Sequence, residues 1–388
     1  MFIISQTGPR EPGSLAERKA ADIFMDDLRN YQLPNNRTSV TREEFIVHPH
    51  AFMSWVVIDC FLMIIAVFCY NFKMRIIAFV CSILALLCLV GEFLLYWEML
   101  DPFFPGFTSQ NVIAIKPPRK EVKRRIIFNG HIDCAYEWWY NWLFGGNGVM
   151  ITAGAGVIGL IVLLILQLVF YKEYKNWLSF VFMGSLPFWM ALLWFTNWNV
   201  VVPGANDNLS GCLVATSVLK YLSDNKIELD HTEVQVVLTG CEESGLRGAK
   251  AWVKAHPEYL NDGIETAFFC FDTLRDIEHM AIYHKDMTGT VTHDERVSDI
   301  FRRAGEMAGL NLPYKVLFCG STDGAAVTQG GIPASAFAAM DPAPANYYHT
   351  RRDNQFNLDP AAMGYGIDIA IGALYIFDQE GLGGPSQQ

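Results

Sequence analysis

The sequence predicts an α/β fold, a mixed sheet flanked by helices, joined to four transmembrane helices in two hairpins. Short apolar runs typical of strands alternate with segments of helical periodicity, which indicates a sheet covered by helices on both faces. Four apolar stretches are also long enough to cross a bilayer core of about 30 Å. Polar side chains directly follow three of the predicted strands, which places a candidate site at one edge of the sheet.

The strands and helices of the α/β part are predicted from local patterns. Ser14 and Glu17 form a capping box that begins a helix running to about Asn30. The predicted strands are residues 43–47, 125–129, 234–238, 266–271, 316–319 and 334–339. The later helices are predicted at residues 209–222, 246–255, 297–308 and 360–376.

The membrane spans are predicted at residues 51–70, 76–97, 148–170 and 177–198. Short polar links at residues 71–75 and 171–176 join them into two helical hairpins. Because both insertions are hairpins, the parts of the α/β domain before, between and after them lie on one side of the membrane. Asp59 and Glu92 are acids inside the spans, and their role stays open between inter-helix hydrogen bonding, snorkelling and a transport function.

The domain organisation follows from these spans. Residues 1–50 form the N-terminal part of the α/β domain, and residues 51–97 form the first hairpin. Residues 98–147 return to the α/β domain before the second hairpin at residues 148–198. The domain is completed by residues 199–380, followed by a flexible tail at residues 381–388.

Composition and charge restrict the class of protein. Of the 388 residues, 52% are hydrophobic, which is too apolar for an ordinary soluble enzyme. The formal net charge of −11 argues against nucleic acid as a partner. The nine cysteines contain no CxxC pair, so free thiols and a reducing compartment are expected. Lysines and arginines are about equally distributed on the two sides of the spans, so they do not decide the orientation. The free thiols favour a multi-pass protein of the cell membrane whose large domain faces the cytoplasm.

Three short motifs place acids and a histidine at the ends of predicted strands. His131 and Asp133 follow the first of these strands, Glu242 and Glu243 the second, and Asp272 the third. Ligands of open α/β sheets gather outside the carboxyl ends of the strands. We therefore expect these five side chains to meet at one place.

Together with Asp207 and His349, these residues supply the ligands of a site for two zinc ions. Zinc accepts imidazole and carboxylate at about 2 Å, and two metals about 3.5–4 Å apart need a shared carboxylate. Asp207, in a loop that precedes a helix, suits the bridging position. His131 and Asp272 would complete one metal, and Glu243 and His349 the other.

Two acids are left without a metal. Asp133 lies two residues from His131, so it can accept the second N–H of that imidazole and orient the ring. Glu242 can act as the general base, taking a proton from a water that bridges the metals and returning it to a leaving amine. The other histidines have no acids grouped around them in this way.

At these motifs the chain resembles the di-zinc aminopeptidase family, family twenty-eight of the metallopeptidases, which also contains glutamate carboxypeptidases and glutaminyl cyclases. The matching stretches are residues 126–133, 203–211, 238–248, 271–272 and 349–353. The resemblance implies a zinc aminopeptidase-like fold, two co-catalytic zinc ions, the residue roles given above and a cis peptide bond between Asp207 and Asn208.

The chain departs from the family in its aromatic and oxyanion-stabilising residues. Phe318 and Cys319 stand where some members carry a tyrosine that stabilises the oxyanion, and Gly324 replaces a bulky ring residue. A cluster of aromatic residues follows the first motif: Tyr136, Trp138, Trp139, Tyr140 and Trp142. Such rings settle at lipid headgroups, either only to anchor the third span or because the zinc cleft opens toward the bilayer and admits hydrophobic peptides.

The function that these features predict is a membrane metallopeptidase, an aminopeptidase that hydrolyses N-terminal residues of peptides. A glutaminyl cyclase-like acyltransferase is the alternative within the enzymes. A non-catalytic membrane receptor or scaffold is an alternative of another class, although the intact Glu242 argues against it. Transport is the weakest hypothesis, since the spans contain few polar residues.

Overall fold

A mixed β-sheet forms the centre of the α/β domain. The computed structural model describes residues 2–31 and 38–383. Within them the strands are β1 (Ser39–Val47), β2 (Phe107–Lys116), β3 (Arg124–His131), β4 (Tyr136–Trp138), β5 (Thr196–Val201), β6 (Thr232–Thr239), β7 (Glu265–Leu274), β8 (Met280–Asp286), β9 (Val291–Thr292), β10 (Tyr314–Val316) and β11 (Ala334–Ala339). The main sheet has the order β1-β2-β6-β3-β7-β11-β8-β10, with β9 beside β8, while β4 and β5 pair separately.

Helices cover both faces of this sheet. The helices are α1 (Phe2–Thr7), α2 (Leu15–Asn30), α3 (Ser54–Asn71), α4 (Arg75–Cys88), α5 (Trp139–Val169), α6 (Asn176–Leu192), α7 (Gly211–Asp224), α8 (Arg247–Ala255), α9 (Glu295–Met307), α10 (Asp323–Gln329) and α11 (Pro360–Glu380). In β3, Ile126 and Phe128 face the core under α2, α7, α9 and α11, whereas Ile127 faces the core under α8 and α10. This alternation of buried apolar residues is what a central strand covered on both faces requires.

The predicted fold class is confirmed, with differences at the sheet margins. The antiparallel strands β2 and β8 were not among the predicted elements, and neither was α10. The strand predicted at residues 316–319 instead ends at Val316, because the chain leaves the sheet there and Phe318 is exposed. Of the predicted tail, residues 384–388 lie outside the described residues, and Leu382 is buried and donates its backbone N–H to Glu265.

The two helical hairpins pack against each other as a four-helix bundle. The first consists of α3 and α4, which continues into a wider π-helical turn at Leu89–Leu94, and the second consists of α5 and α6. Tyr70 of the first hairpin stacks on Phe182 of the second with ring centroids 4.7 Å apart. Gln167 donates a hydrogen bond of 2.8 Å to the hydroxyl of Ser82, which joins α5 to α4.

Among the described residues, four helices are long and apolar enough to cross a membrane: Ser54–Asn71, Arg75–Leu94, Trp139–Val169 and Pro360–Glu380. The first three correspond to predicted spans. The fourth predicted span, residues 177–198, is the shorter helix α6 of 17 residues, because the chain enters β5 at Thr196. Helix α11 instead buries one face, including Ile369, Leu374 and Phe377, in the core of the α/β domain. Burial in the α/β domain therefore explains the apolar composition of α11 without a membrane.

Candidate metal centre

The candidate site lies at the carboxyl ends of three neighbouring parallel strands. His131 is the last residue of β3, Asp272 lies near the end of β7, and Glu242 and Glu243 stand in the loop that follows β6. Since β3 lies between β6 and β7 in the sheet, the histidine stands between the acids from both sides. The fold thus brings together the groups that the sequence placed after separate strands.

Asp207 lies between the two histidines. Its Oδ1 is 3.1 Å from Nε2 of His131, and its Oδ2 is 3.2 Å from Nε2 of His349. The peptide bond between Asp207 and Asn208 is cis, as predicted. Although burial opposes ionisation, the adjacent imidazoles of His131 and His349 hold the pKa of Asp207 well below its usual range. One carboxylate therefore presents a different oxygen to each imidazole, as a bridging ligand must.

The remaining predicted ligands divide between these two histidines. Nε2 of His349 lies 3.2 Å from Oε2 of Glu243, and Nε2 of His131 lies 4.0 Å from Oδ1 of Asp272. Burial raises the pKa of Asp272 to about 8. The structure thus places Glu243 beside His349, and both Asp272 and Glu242 beside His131.

The buried nitrogen and oxygen atoms of this cluster fit zinc. Two ligand atoms that each lie about 2 Å from one tetrahedral zinc ion are about 3.3 Å apart. Nε2 of His349 lies at such a distance from Asp207 and Glu243, yet neither it nor Oε1 of Glu243 has a hydrogen-bond partner among the described residues. One ligand atom each from His131, Asp207 and Glu243 lies within 4.8 Å of the others. Buried polar atoms without hydrogen bonds are costly unless an ion binds them.

Asp133 connects the first metal motif to the second. Its Oδ1 is 3.3 Å from Nδ1 of His131 and accepts the backbone N–H of Glu242 at 3.0 Å. Its Oδ2 accepts the backbone N–H of Glu243, also at 3.0 Å. Asp133 therefore lies next to Nδ1 of His131 and holds the loop that carries both glutamates.

Glu242 lies beside His131, on the same ring nitrogen that Asp272 approaches. Its Oε2 is 3.8 Å from Nε2 of His131, and the residue is 8% exposed. Burial raises the pKa of this carboxyl well above its usual range. A carboxyl group in this position can exchange a proton with a group bound at the cluster.

Three supporting residues were not assigned a role from the sequence. Asp353 accepts the backbone N–H groups of Asn206 at 2.8 Å and Asp207 at 3.0 Å, which fixes the bridging loop. The fully buried guanidinium of Arg10 donates to the carbonyls of Ile132 at 2.6 Å and Gly204 at 2.7 Å. The sequence could have suggested a supporting role for Asp353, because it closely follows His349. Arg10 is a single arginine in an irregular segment, and no sequence pattern indicates its role.

Glu17 is the third supporting residue. The hydroxyl of Ser14 accepts the N–H of Glu17 at 3.2 Å, so half of the predicted capping box is present. The carboxylate of Glu17 instead accepts N–H groups from Gly13 and Cys241, each at 3.0 Å. Burial raises the pKa of Glu17 to about 8. Helix α2 thereby holds the loop that precedes Glu242.

The aromatic cluster after the first motif does more than mark a membrane boundary. The ring of Trp138 meets the ring of His349 edge to face, with centroids 4.3 Å apart, and its backbone N–H donates to the carbonyl of His349 at 2.8 Å. Tyr348 stacks on His349 with centroids 4.0 Å apart and also meets Trp138 edge to face at 5.6 Å. Trp142 lies instead under the guanidinium groups of Arg351 and Arg352.

Comparison with known proteins agrees with this geometry. Residues 193–373 match the family model of Peptidase family M28. That stretch includes Asp207, Glu242, Glu243, Asp272 and His349. The resemblance to the di-zinc aminopeptidase family is thus confirmed, and the match supports a hydrolase of the metallopeptidase type that depends on zinc. No curated protein sequence matches the chain.

Solved structures of zinc aminopeptidases and glutaminyl cyclases share the fold. An aminopeptidase from Aneurinibacillus sp. strain AM-1 is 17% identical with a TM-score of 0.55, covering 96% of this chain and 92% of its own. The zinc aminopeptidase BSAP from Bacillus subtilis is 16% identical with a TM-score of 0.55, covering 96% and 93%. A glutaminyl cyclase from Fimbriiglobus ruber is 12% identical with a TM-score of 0.56, covering 95% and 90%.

Proposed function

We propose that the protein is a membrane-embedded zinc peptidase, an aminopeptidase that removes N-terminal residues from peptides. The observation that carries this proposal is the position of Asp207, whose two oxygens lie 3.1 and 3.2 Å from the imidazoles of two different histidines. His131 and Asp272 would hold one zinc ion, and Glu243 and His349 the other. The two ions, when bound, would polarise the scissile carbonyl and lower the pKa of the attacking water.

The residues of the chain would then orient the substrate and move the proton. Glu242 would take a proton from the attacking water and deliver it to the nitrogen of the leaving amine, since it is buried beside His131 and is the acid to which the proposed assignment gives no metal. Asp133 would keep Glu242 in place through the backbone N–H that it accepts at 3.0 Å. Water therefore adds across the C–N bond and yields one carboxylate and one amine.

The experiment that tests this proposal is metal analysis combined with a substrate panel. Protein purified in lipid nanodiscs should contain two zinc ions per chain and hydrolyse aminoacyl anilides with a free amine. Blocking that amine should abolish hydrolysis of short substrates. Two bound zinc ions without hydrolysis of any amide would contradict the proposal and favour a binding protein.

Glutaminyl cyclisation is the second candidate, because glutaminyl cyclases share the fold. Because solved structures of both enzyme classes share this fold, the reaction products decide between them. A peptide with N-terminal glutamine would lose ammonia and form a five-membered lactam in a cyclase, whereas an aminopeptidase would release free glutamine. Mass spectrometry separates these products.

The membrane location is supported by the outer surface of the helical bundle. Large apolar side chains are exposed along α3, α4 and α5, including Phe61, Ile76, Ile151 and Ile158. An apolar surface of this extent is expected in contact with lipid rather than with water. The short helix α6 of 17 residues is at the lower limit for a span. Both hairpins would then cross the bilayer and leave the α/β domain on one side.

The proposed side is the cytoplasm, at the cell membrane, because all nine cysteines of the described residues carry free thiols. Cys319 is exposed and therefore reports on orientation. In intact cells a membrane-impermeant maleimide should not label Cys319, whereas it should after permeabilisation. Labelling before permeabilisation would place the domain outside.

A further inference from the structure

A large cavity connects the candidate metal centre to the interior of the helical bundle. Its volume is about 590 Å³. Glu242, Glu243 and His349 line one end, and Met63, Leu160 and Trp189 of the hairpin helices line the other. The reaction that we propose for the metal centre would thus take place at the mouth of an intramembrane chamber.

The size of the cavity exceeds what one amino-acid side chain fills. An apolar cavity of about 150 Å³ is enough for a benzene-sized molecule, and whole ligands occupy pockets of about 300–1,000 Å³. At about 590 Å³, the cavity can therefore accept a substantial part of a substrate beyond the residue at the scissile bond.

The chemistry of the walls selects an alkyl chain rather than a peptide backbone. Each residue of a peptide brings an N–H and a C=O group that need partners when they are removed from water. Within the bundle the cavity is walled mainly by apolar side chains such as Val149, Val157 and Leu160. The carboxyl of Asp59 and the indole N–H of Trp55 also belong to this wall and have no hydrogen-bond partner among the described residues. These two groups could pair with one polar group of a substrate each, but a peptide segment brings an N–H and a C=O group with every residue. An alkyl chain needs no such partner, and its burial is favourable.

The outer wall of the cavity is continuous with the proposed lipid-facing surface. Ile158 and Ile161 of α5 line the cavity, and 63% and 40% of their surface is exposed. A chain that resides in the bilayer could therefore enter past α5 without passing through water.

We infer that the cavity binds a long alkyl chain of the substrate, so that the protein hydrolyses amides carrying such a chain next to the scissile bond. This inference rests on the proposed peptidase function and specifies its substrate class. Water adds across the amide C–N bond, with the proton passing through Glu242 to the amine, and the products are an acid and an amine. The chain can be a fatty acyl group or a long side chain on an N-terminal residue.

The test measures hydrolysis in nanodiscs as a function of chain length, in two series. One series contains fatty acyl anilides, and the other contains 2-aminoalkanoyl anilides with a free amine. In the series whose attachment point lets the chain reach the cavity, kcat/KM should rise about threefold to fourfold per methylene until the cavity is filled. The series that responds identifies where the chain is attached.

A pair of glycine variants provides the matched control. A Cβ added at Gly154 or at Gly184 would meet no heavy atom within 4 Å, but Gly154 lines the cavity and Gly184 does not. Gly154→Phe should reduce kcat/KM for the longest chain at least tenfold and leave the shortest substrate unchanged. Gly184→Phe should leave both unchanged. Leu160→Ala, which enlarges the cavity, should move the optimum to longer chains.

The outcomes separate this inference from the function on which it rests. Hydrolysis of short substrates with no dependence on chain length in either series would overturn the inference and leave the peptidase function intact. Equal effects of Gly154→Phe and Gly184→Phe would also overturn it. Failure to hydrolyse any amide, with zinc bound, would overturn both.

Discussion

Replacing Asp353 by alanine should weaken binding of both zinc ions, although Asp353 touches neither proposed ion. Its carboxylate is fully buried and accepts the backbone N–H groups of Asn206 and Asp207 at 2.8 and 3.0 Å. Each buried donor left without an acceptor costs about 1–3 kcal/mol, so the two together cost about 2–6 kcal/mol. The loop can relieve this cost only by moving, and movement displaces Asp207.

Because Asp207 would bridge the metals, the displacement should affect both sites together. Loss of such an outer support reduces metal affinity by about 10- to 100-fold. Zinc affinity is measured by competition with a chromogenic chelator, and thermal unfolding is followed in the same samples. Asp353→Asn keeps the shape and one acceptor oxygen, so its effect should be intermediate.

Asp359→Ala is the matched control. Asp359 also accepts a backbone N–H, from Ala361 at 2.9 Å, but it does so at the start of α11 and away from the metal loops. We expect a loss of about 1 kcal/mol in stability and unchanged zinc affinity. A folded Asp353→Ala protein with normal affinity for both ions, or with loss of only one ion, would refute the reasoning.

Four further predictions concern the candidate site. Glu242→Gln should keep both zinc ions and lose about 10²–10⁴-fold in turnover; near-normal turnover with zinc bound would exclude Glu242 as the base. Asp207→Asn should lower occupancy of both sites, whereas His349→Ala should mainly empty one, as elemental analysis can distinguish. Chelation should abolish hydrolysis and lower the Tm, and zinc at 100 times its Kd should restore about 2.7 kcal/mol of stability for each site that it fills. Trp138→Ser should raise KM for hydrophobic substrates and, because its ring contacts His349, weaken one zinc site, while Trp139→Ser should leave zinc binding unchanged.

The central sheet and the ligand cluster were predictable because their signals are local. Strands β3, β6 and β7 are short runs of mostly buried apolar residues, and the polar residue that each positions lies at its carboxyl end or in the loop just after it. Parallel strands of one sheet place their carboxyl ends at a common edge. The meeting of His131, Glu243 and Asp272 therefore follows from the order of the elements, without knowledge of distant contacts.

The supporting residues were harder to predict because their partners are remote in sequence. Arg10 donates to a carbonyl 122 residues away, at Ile132, and Glu17 accepts from Cys241, 224 residues away. The antiparallel edge strands present a similar difficulty. Strand β2 follows the first hairpin and pairs with β1 across it, so no short turn marks the connection.

The second hairpin is attached to the α/β domain at the candidate metal centre itself. Its base is formed by β4 and β5, which pair with each other, and Trp139 donates its backbone N–H to the carbonyl of Phe195. From this base, Trp138 contacts His349, and the buried amide of Asn141 donates to the carbonyl of Ala345 at 3.0 Å. A change in the tilt of α5 would therefore shift the loop that carries His349. The hairpin cannot serve only as an anchor, because the residues that begin it also determine where one proposed zinc ligand lies.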